Sequence, residues 1–350
     1  MSKERNYGID LLRLVLIYMV CMLHTLGKGG ILDASVAGTG GYKVFWFLEI
    51  LSYCAVDGFA ITSGYMANDK PRKYEKLVDM WFQAFFYSFI VTMIFTVIGV
   101  NDTWSNLDII KSALPVTSGY FWYFTAFFAL FFSIPVLNSF LFTVETNMAK
   151  KAFIIIVILF SVLGVLGDPF KSSDGYSAIW LMVLYFIGVL AKKIKLFETK
   201  RSITLIILWA LCIVLTWGVH VFIGTDRLTD YVSPTVLLSA ILMVVLFSRI
   251  RIRGSIIKKI SPLVFGIYLF QLNKVIWNNI LDNAFVTVVE QPLYVGVLLV
   301  FVFAFVIFFS GLVVEYIRSR IAKLLRIPAL SKRIVTLIDV IISKLFVFLK

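Results

Sequence analysis

The chain is a succession of long apolar runs separated by short polar breaks. Ten runs stand out, at about 8–27, 43–66, 78–99, 119–142, 152–167, 176–194, 203–223, 232–250, 257–281 and 292–318. Most reach the length of roughly 20 residues that a helix needs to cross a bilayer core, and the fifth is the shortest. The breaks carry turn formers and charges, as in "NDKPRKYEK" (68–76) and "GDPFKSSDG" (167–175). This pattern predicts an all-α fold, a polytopic transmembrane helix bundle of about ten spans. The tail "SKRIVTLIDVIISKLFVFLK" (331–350) is apolar but broken by Asp339 and Lys344, which predicts an amphipathic helix lying in the interface. The domain organisation expected is a membrane domain over 1–326 and an amphipathic tail over 327–350. There is no internal repeat, coiled coil or low-complexity tract.

Composition agrees. Of 350 residues, 60% are hydrophobic and 15% charged, against about half and a quarter in soluble domains. Mean hydropathy is +0.94. The net charge of +13 sits in short loops and forms no continuous basic domain, so topology explains it better than nucleic acid. Alternate loops differ sharply. One set holds Lys3 and Arg5; Lys70, Arg72, Lys73 and Lys76; Lys150 and Lys151; Lys192, Lys193, Lys195, Lys200 and Arg201; Arg249, Arg251, Arg253, Lys258 and Lys259; and Arg318, Arg320, Lys323 and Arg326. The other set holds Lys28, Lys43, Lys111, Lys171 and Arg227. That asymmetry places both termini in the cytoplasm. The first run lacks a small-x-small cleavage pattern and is expected to be retained. Cys21, Cys54 and Cys212 all lie in apolar runs, odd in number and without zinc-type spacing. They read as small buried hydrophobes, and no metal is expected.

Against this background a few polar residues stand out. Arg13 and His24 are eleven positions apart in the first run, which is three helical turns plus about 20°, so both point the same way. The rise between them is about 16 Å. Asp10, three residues before Arg13, is its helical neighbour. With the N-terminus inside, Arg13 lies near the cytoplasmic surface and His24 near the outer one. Arg13 can simply snorkel to headgroups, and His24 can be an interfacial histidine. Yet ionisable groups within spans usually face a bundle interior or an aqueous cavity, and imidazole suits proton transfer near neutral pH. Physics alone leaves both readings open.

Other runs add to the list. Asp57 lies well inside the second, where a buried carboxylate needs a partner; Ser63 and Tyr65 lie near its inner end. Gly58 and Gly64 allow close helix approach, and Thr62 and Ser63 can bond back to their own helix. Trp122 and Tyr123 open the fourth run at aromatic-belt depth, and Pro135 is expected to kink its inner end. The ninth holds Tyr268, Gln271, Asn273 and Lys274, with Gln271 at a depth close to that of His24.

Together these segments resemble the acyltransferase 3 family of integral membrane acyltransferases, over roughly residues 7 to 320. Arg13 and His24, behind Ile9 and Asp10, are similar to the family's arginine–ten residues–histidine pattern. "FAITSGYM" resembles its Phe-x-x-x-Ser-Gly-Tyr segment, and "YFWYFTAFFALFFSIPVLN" the fourth span of members from low-GC Gram-positive bacteria. "GYSAIWLMVLYFIGVLAKK" and "SPLVFGIYLFQ" continue the likeness in order. The resemblance implies transfer of an acyl group, most often acetyl, from cytoplasmic acyl-CoA to a hydroxyl of an extracytoplasmic glycan, in a bacterial plasma membrane. The glycan would be a capsular, exo- or cell-wall polysaccharide or its lipid-linked precursor. It implies His24 as the catalytic residue, with Arg13 and Asp10 on the donor path. Asp57, Ser63, Tyr65, Trp122, Tyr123, Tyr268 and Gln271 then become substrate-binding candidates. Arg72, Lys73 and Lys76 become candidates for the coenzyme A phosphates, although a solvated basic loop explains those three equally well. Acetyl-CoA serves as donor substrate, and membrane lipid, the glycan acceptor, a second copy of the chain or glycan-assembly proteins are the partners expected, with no nucleic acid. Two departures stand out. Many relatives have histidine where this chain has Gln271, which can orient but cannot shuttle a proton, and relatives often carry arginines where this chain has "KYEKLVDMWFQ" (73–83). The rival reading is a transporter of a glycan or lipid-linked sugar; against it, no paired Gly/Pro-interrupted spans occur in corresponding halves. A third is a retired relative acting as a sensor or scaffold.

Overall fold

The computed structural model describes residues 5–68, 70–100, 105–252 and 254–348, so Lys3 and Arg253 lie outside the described residues. Among these, all regular structure is helical. The principal helices are α1 (Tyr7–Leu26), α2 (Gly40–Tyr65), α3 (Tyr74–Val97), α4 (Trp122–Leu141), α5 (Thr146–Gly167), α6 (Ala178–Lys193), α7 (Ser202–Ile223), α8 (Pro234–Ser248), α9 (Val264–Gln271), α10 (Leu293–Leu324) and α11 (Ile327–Phe348).

Seven of these, α1 to α5, α7 and α10, are long and apolar enough to cross a membrane unaided. The others depart from the expected spans. α6 and α8 have 16 and 15 residues, about 24 and 22 Å at 1.5 Å per residue, short of a core about 30 Å thick. The ninth run is not one helix. A short helix, Ser255–Ile260, gives way to a tight turn at Ser261–Leu263, where Pro262 removes an N–H from the ladder. α9 then ends at Gln271, and a second helical turn begins at Ile276. Asn273 holds that break: its Oδ1 accepts from the backbone N–H of Val275 and Ile276, and its Nδ2 donates to the Tyr87 carbonyl at 2.6 Å. The fifth helix begins at Thr146, six residues before its apolar run. Lys150 is exposed and Lys151 follows it, and lysine is a good helix former that does not end the segment. α4 runs through Pro135 without interruption.

α1 and α2 form the centre. Their most apolar stretches are 67% buried, against 17% in α5 and 22% in α7 and α10. α2 packs against α1, α6 and α8, while α1 also packs against α8, α9 and α10. Glycine sets the α2–α6 distance. A Cβ on Gly64 would lie 2.1 Å from the Tyr185 carbonyl oxygen, and one on Gly188 2.3 Å from that of Ile61, so backbone meets backbone there. Outside this centre, large apolar side chains such as Ile207, Leu211, Phe305 and Phe309 stand exposed on α7 and α10, a surface that suits hydrocarbon. α11 follows a turn at Arg326 and packs along α3, with Ser331 Oγ donating to Asp79 Oδ1 at 2.5 Å; Leu337, Ile341 and Leu345 remain exposed on it.

Candidate active site

The face of α1 that carries Arg13 and His24 opens onto one cavity of about 690 Å³. Arg13, Ile17, Val20 and His24 line it in helical steps, with Gly27 and Lys28 beyond the helix end. The facing walls come from α2 (Glu49, Tyr53, Val56, Phe59), the start of α4 (Trp122, Tyr123), and α9 with its flanks (Ser261, Tyr268, Lys274, Trp277). The lining is mainly apolar and aromatic with a few converging polar groups, the usual constitution of a small-molecule site.

At one end, Arg13 is anchored through Asp10. The Asp10 carboxylate is buried, and its Oδ1 accepts from Arg13 Nη1 at 3.0 Å and from Ser261 Oγ at 3.0 Å. Its Oδ2 accepts from the Arg5 guanidinium. With both oxygens engaged, Asp10 anchors Arg13. Arg13 uses one nitrogen here and keeps 36% of its side chain accessible, leaving donors for an incoming group.

Toward the other end, His24 Nδ1 lies 2.9 Å from Gln271 Oε1. An amide oxygen only accepts, so in this arrangement Nδ1 carries the proton and Nε2 keeps its lone pair. The imidazole also meets the edge of Trp277 (centroids 4.7 Å apart, planes at 86°). Gln271 is itself fully buried at the last turn of α9. The segment after α1 is clamped as well. Lys28 and Gly29 carbonyls accept from the N–H of Asn283 and Phe285, at 3.0 and 2.9 Å. Gly30, at φ +81°, makes the turn that a side chain would strain. Lys28 pairs with Asp282 at 2.7 Å.

The site therefore offers an imidazole held through Nδ1 by Gln271 in a largely apolar chamber, with an anchored guanidinium about 16 Å away on the same wall. Residues 6–317 match the family model described as an acyltransferase domain, that of the acyltransferase 3 family. The chain belongs to this family. Its helices and this membership make it a multi-pass membrane acyltransferase. Neither a comparison with curated proteins nor one with solved structures finds a match.

The acyltransferase cavity gathers some of the residues singled out in the sequence and leaves others aside. Arg13, His24, Trp122, Tyr123 and Tyr268 line it, and Gln271 hydrogen-bonds His24 behind it. Asp57 is fully buried behind the wall, where Trp180 Nε1 donates to its Oδ1 at 3.0 Å. Ser63 bonds back to the Phe59 carbonyl, and Tyr65 meets Ser248 while its carbonyl accepts from Lys192. Arg72 donates to Tyr185 Oη at 3.2 Å and stands over the Phe131 ring, and Lys73 and Lys76 are exposed on the α3 side; none of the three lines the cavity. The residues that sequence reasoning missed are Glu49, Tyr53, Tyr176, Tyr231 and Trp277. A signal existed for the first two. Positions 49, 53, 56 and 59 recur at helical spacing, with a carboxylate inside an apolar run.

Proposed function

We propose that this acyltransferase moves an acetyl group from cytoplasmic acetyl-CoA to a hydroxyl of an extracytoplasmic glycan, through the cavity between Arg13 and His24. The observation that carries the reading is that one continuous chamber is lined by both residues. The basic loops favour an arrangement with the Arg13 end and both termini in the cytoplasm, about ten helical passes between them, and α11 in the inner interface. The donor enters at Arg13. Its phosphates find counter-charge in exposed Lys258 and Lys259, on the short helix before Ser261, with Arg72, Lys73 and Lys76 farther from the wall. Its thioester reaches the outer half.

There the acceptor hydroxyl attacks the thioester carbonyl while His24 Nε2 takes its proton. The new C–O bond forms, the C–S bond breaks, and the imidazolium returns the proton to the departing thiolate. Gln271 holds the tautomer that this step needs. Tyr123 and Tyr268 offer hydroxyl donors to the oxyanion, and the mainly apolar walls keep their hydrogen bonds strong. The test is His24→Ala in protein shown to be folded and inserted. Loss of the base is expected to cost about 10²–10⁴-fold in transfer, read as glycan O-acetyl by NMR and as free thiol released from acetyl-CoA. Unchanged O-acetylation would sink the reading, and a glycan transporter would release no thiol in any variant.

A further inference from the structure

Glu49 takes no part in the chemistry above, yet it is the one acid among the described residues lining the cavity. Its side chain is 6% exposed, and its Oε2 has no hydrogen-bond partner. No cation pairs with it among the described residues. The contrast with Glu315 is informative. That buried carboxylate on α10 accepts from Tyr87 and, through both oxygens, from Arg318 at 2.7 and 2.8 Å, which makes it a structural member of the bundle. A buried carboxyl oxygen without a partner costs free energy, as Asp57 Oδ2 does too, but Glu49 alone faces the cavity, where a ligand could supply the missing donor. Glu49 Oε1 lies 4.0 Å from the point where a Cβ on Gly27 would stand, three residues past His24, so the carboxyl group sits within about a turn of the imidazole.

A file of rings leads away from it. Tyr53, one turn along α2 on the same face, meets Tyr231 with centroids 6.0 Å apart. Tyr231 meets Tyr176 at 5.1 Å, and Tyr176 meets Trp122 at 4.7 Å. All four rings line the cavity, and Tyr176 is 55% exposed at its rim. Aromatic faces carry partial negative charge and attract the polarised C–H groups of a pyranose face. A carboxyl group can engage two vicinal hydroxyls at once, one through each of its oxygens. A wall of rings ending in an unpartnered carboxylate is chemically matched to a saccharide.

We propose that Glu49, Tyr53, Tyr231, Tyr176 and Trp122 form the acceptor subsite, in which Glu49 accepts hydrogen bonds from sugar hydroxyls and so presents a neighbouring hydroxyl to His24. The proposal rests on the acyl-transfer reading. The experiment uses the full chain in proteoliposomes with acetyl-CoA, and titrates in envelope extract from a host lacking the gene as the acceptor. Glu49→Gln is expected to raise the half-saturating extract concentration tenfold or more. The half-saturating acetyl-CoA concentration should stay within twofold and the limiting rate within threefold, and Glu49→Asp should recover part of the loss. Tyr176→Ala, at an exposed position, should shift the same parameter in the same direction and serves if Glu49→Gln fails to insert. An unchanged extract dependence in either inserted variant overturns the proposal, as does an equal shift in acetyl-CoA dependence. Retained transfer by His24→Ala would instead defeat the acyl-transfer mechanism and leaves a distinct signature, because it alters no half-saturation value.

Discussion

His24 Nδ1 and Gln271 Oε1 meet at 2.9 Å, joining the end of α1 to the end of α9 across 247 residues of chain. With Oε1 facing the ring, the contact favours the tautomer protonated on Nδ1. Replacing Gln271 with leucine leaves the ring in place against Trp277 but lets both tautomers and a rotated ring compete. The limiting transfer rate is expected to fall about tenfold to a hundredfold, the range seen when the partner orienting a functional histidine is removed. Steady-state assays at saturating acetyl-CoA measure it, and a rate within twofold of the parent would show that the glutamine does not orient the base.

Arg13→Lys keeps the charge and loses the planar fork that lets one guanidinium hold Asp10 and still donate elsewhere. A lost hydrogen bond to a charged group is worth about 1.5–3 kcal/mol. The KM for acetyl-CoA should rise by roughly ten- to a hundredfold, with acceptor dependence unchanged. A change confined to acceptor dependence would place Arg13 on the wrong side of the reaction.

Gly64→Ala tests the packing of α2 on α6. The added methyl would sit 2.1 Å from a backbone carbonyl that no rotamer change can move. Overpacking of this kind costs about 1–3 kcal/mol, read as an earlier thermal transition in detergent. Gly167→Ala, with nothing within 4 Å of the new carbon, serves as the control. Equal transitions in the two variants would mean that the interface relaxes freely.

Asp230, half-buried in the loop between α7 and α8, has its pKa pushed up to about 6, first by burial and then by the Asp174 and Asp226 carboxylates. A carboxyl that binds its proton more tightly folded than unfolded weakens the fold as pH rises from about 4, its unfolded value, to about 6. Above that the penalty is complete. Asp230→Asn is therefore expected to raise the thermal transition at pH 7.5 and to leave it nearly unchanged at pH 4. A gain of equal size at both pH values would point to packing instead of charge.

Much of the architecture is legible in the chain because hydrocarbon imposes a simple rule: backbone groups must bond within the segment that carries them. Helical segments accordingly fall in every apolar run, and the eleven-residue spacing of Arg13 and His24 does put them on one wall. The rule says nothing about what each polar side chain meets. Asp57, a candidate from sequence, is bonded through Oδ1 by Trp180, 123 positions away, behind the wall, and Arg72 is held by Tyr185 away from the chamber. The break in the ninth run was signalled by Pro262 and Asn273, yet hydropathy alone runs smoothly across both. Glu49 was passed over because a single acid in an apolar run gives no sign of whether it is paired. That depends on neighbours brought up from distant segments.

The chamber shared by Arg13 and His24 also constrains the energetics of a turnover. In the proposed transfer, an acetyl group would leave toward the outside while the proton released by the acceptor hydroxyl travels inward to the thiolate. Counted as fragments, one acylium equivalent and one proton exchange places, so no net charge crosses the bilayer. A cycle of that kind would draw nothing from the transmembrane voltage and would run equally well in a resting, energised or depolarised membrane as long as donor and acceptor were supplied.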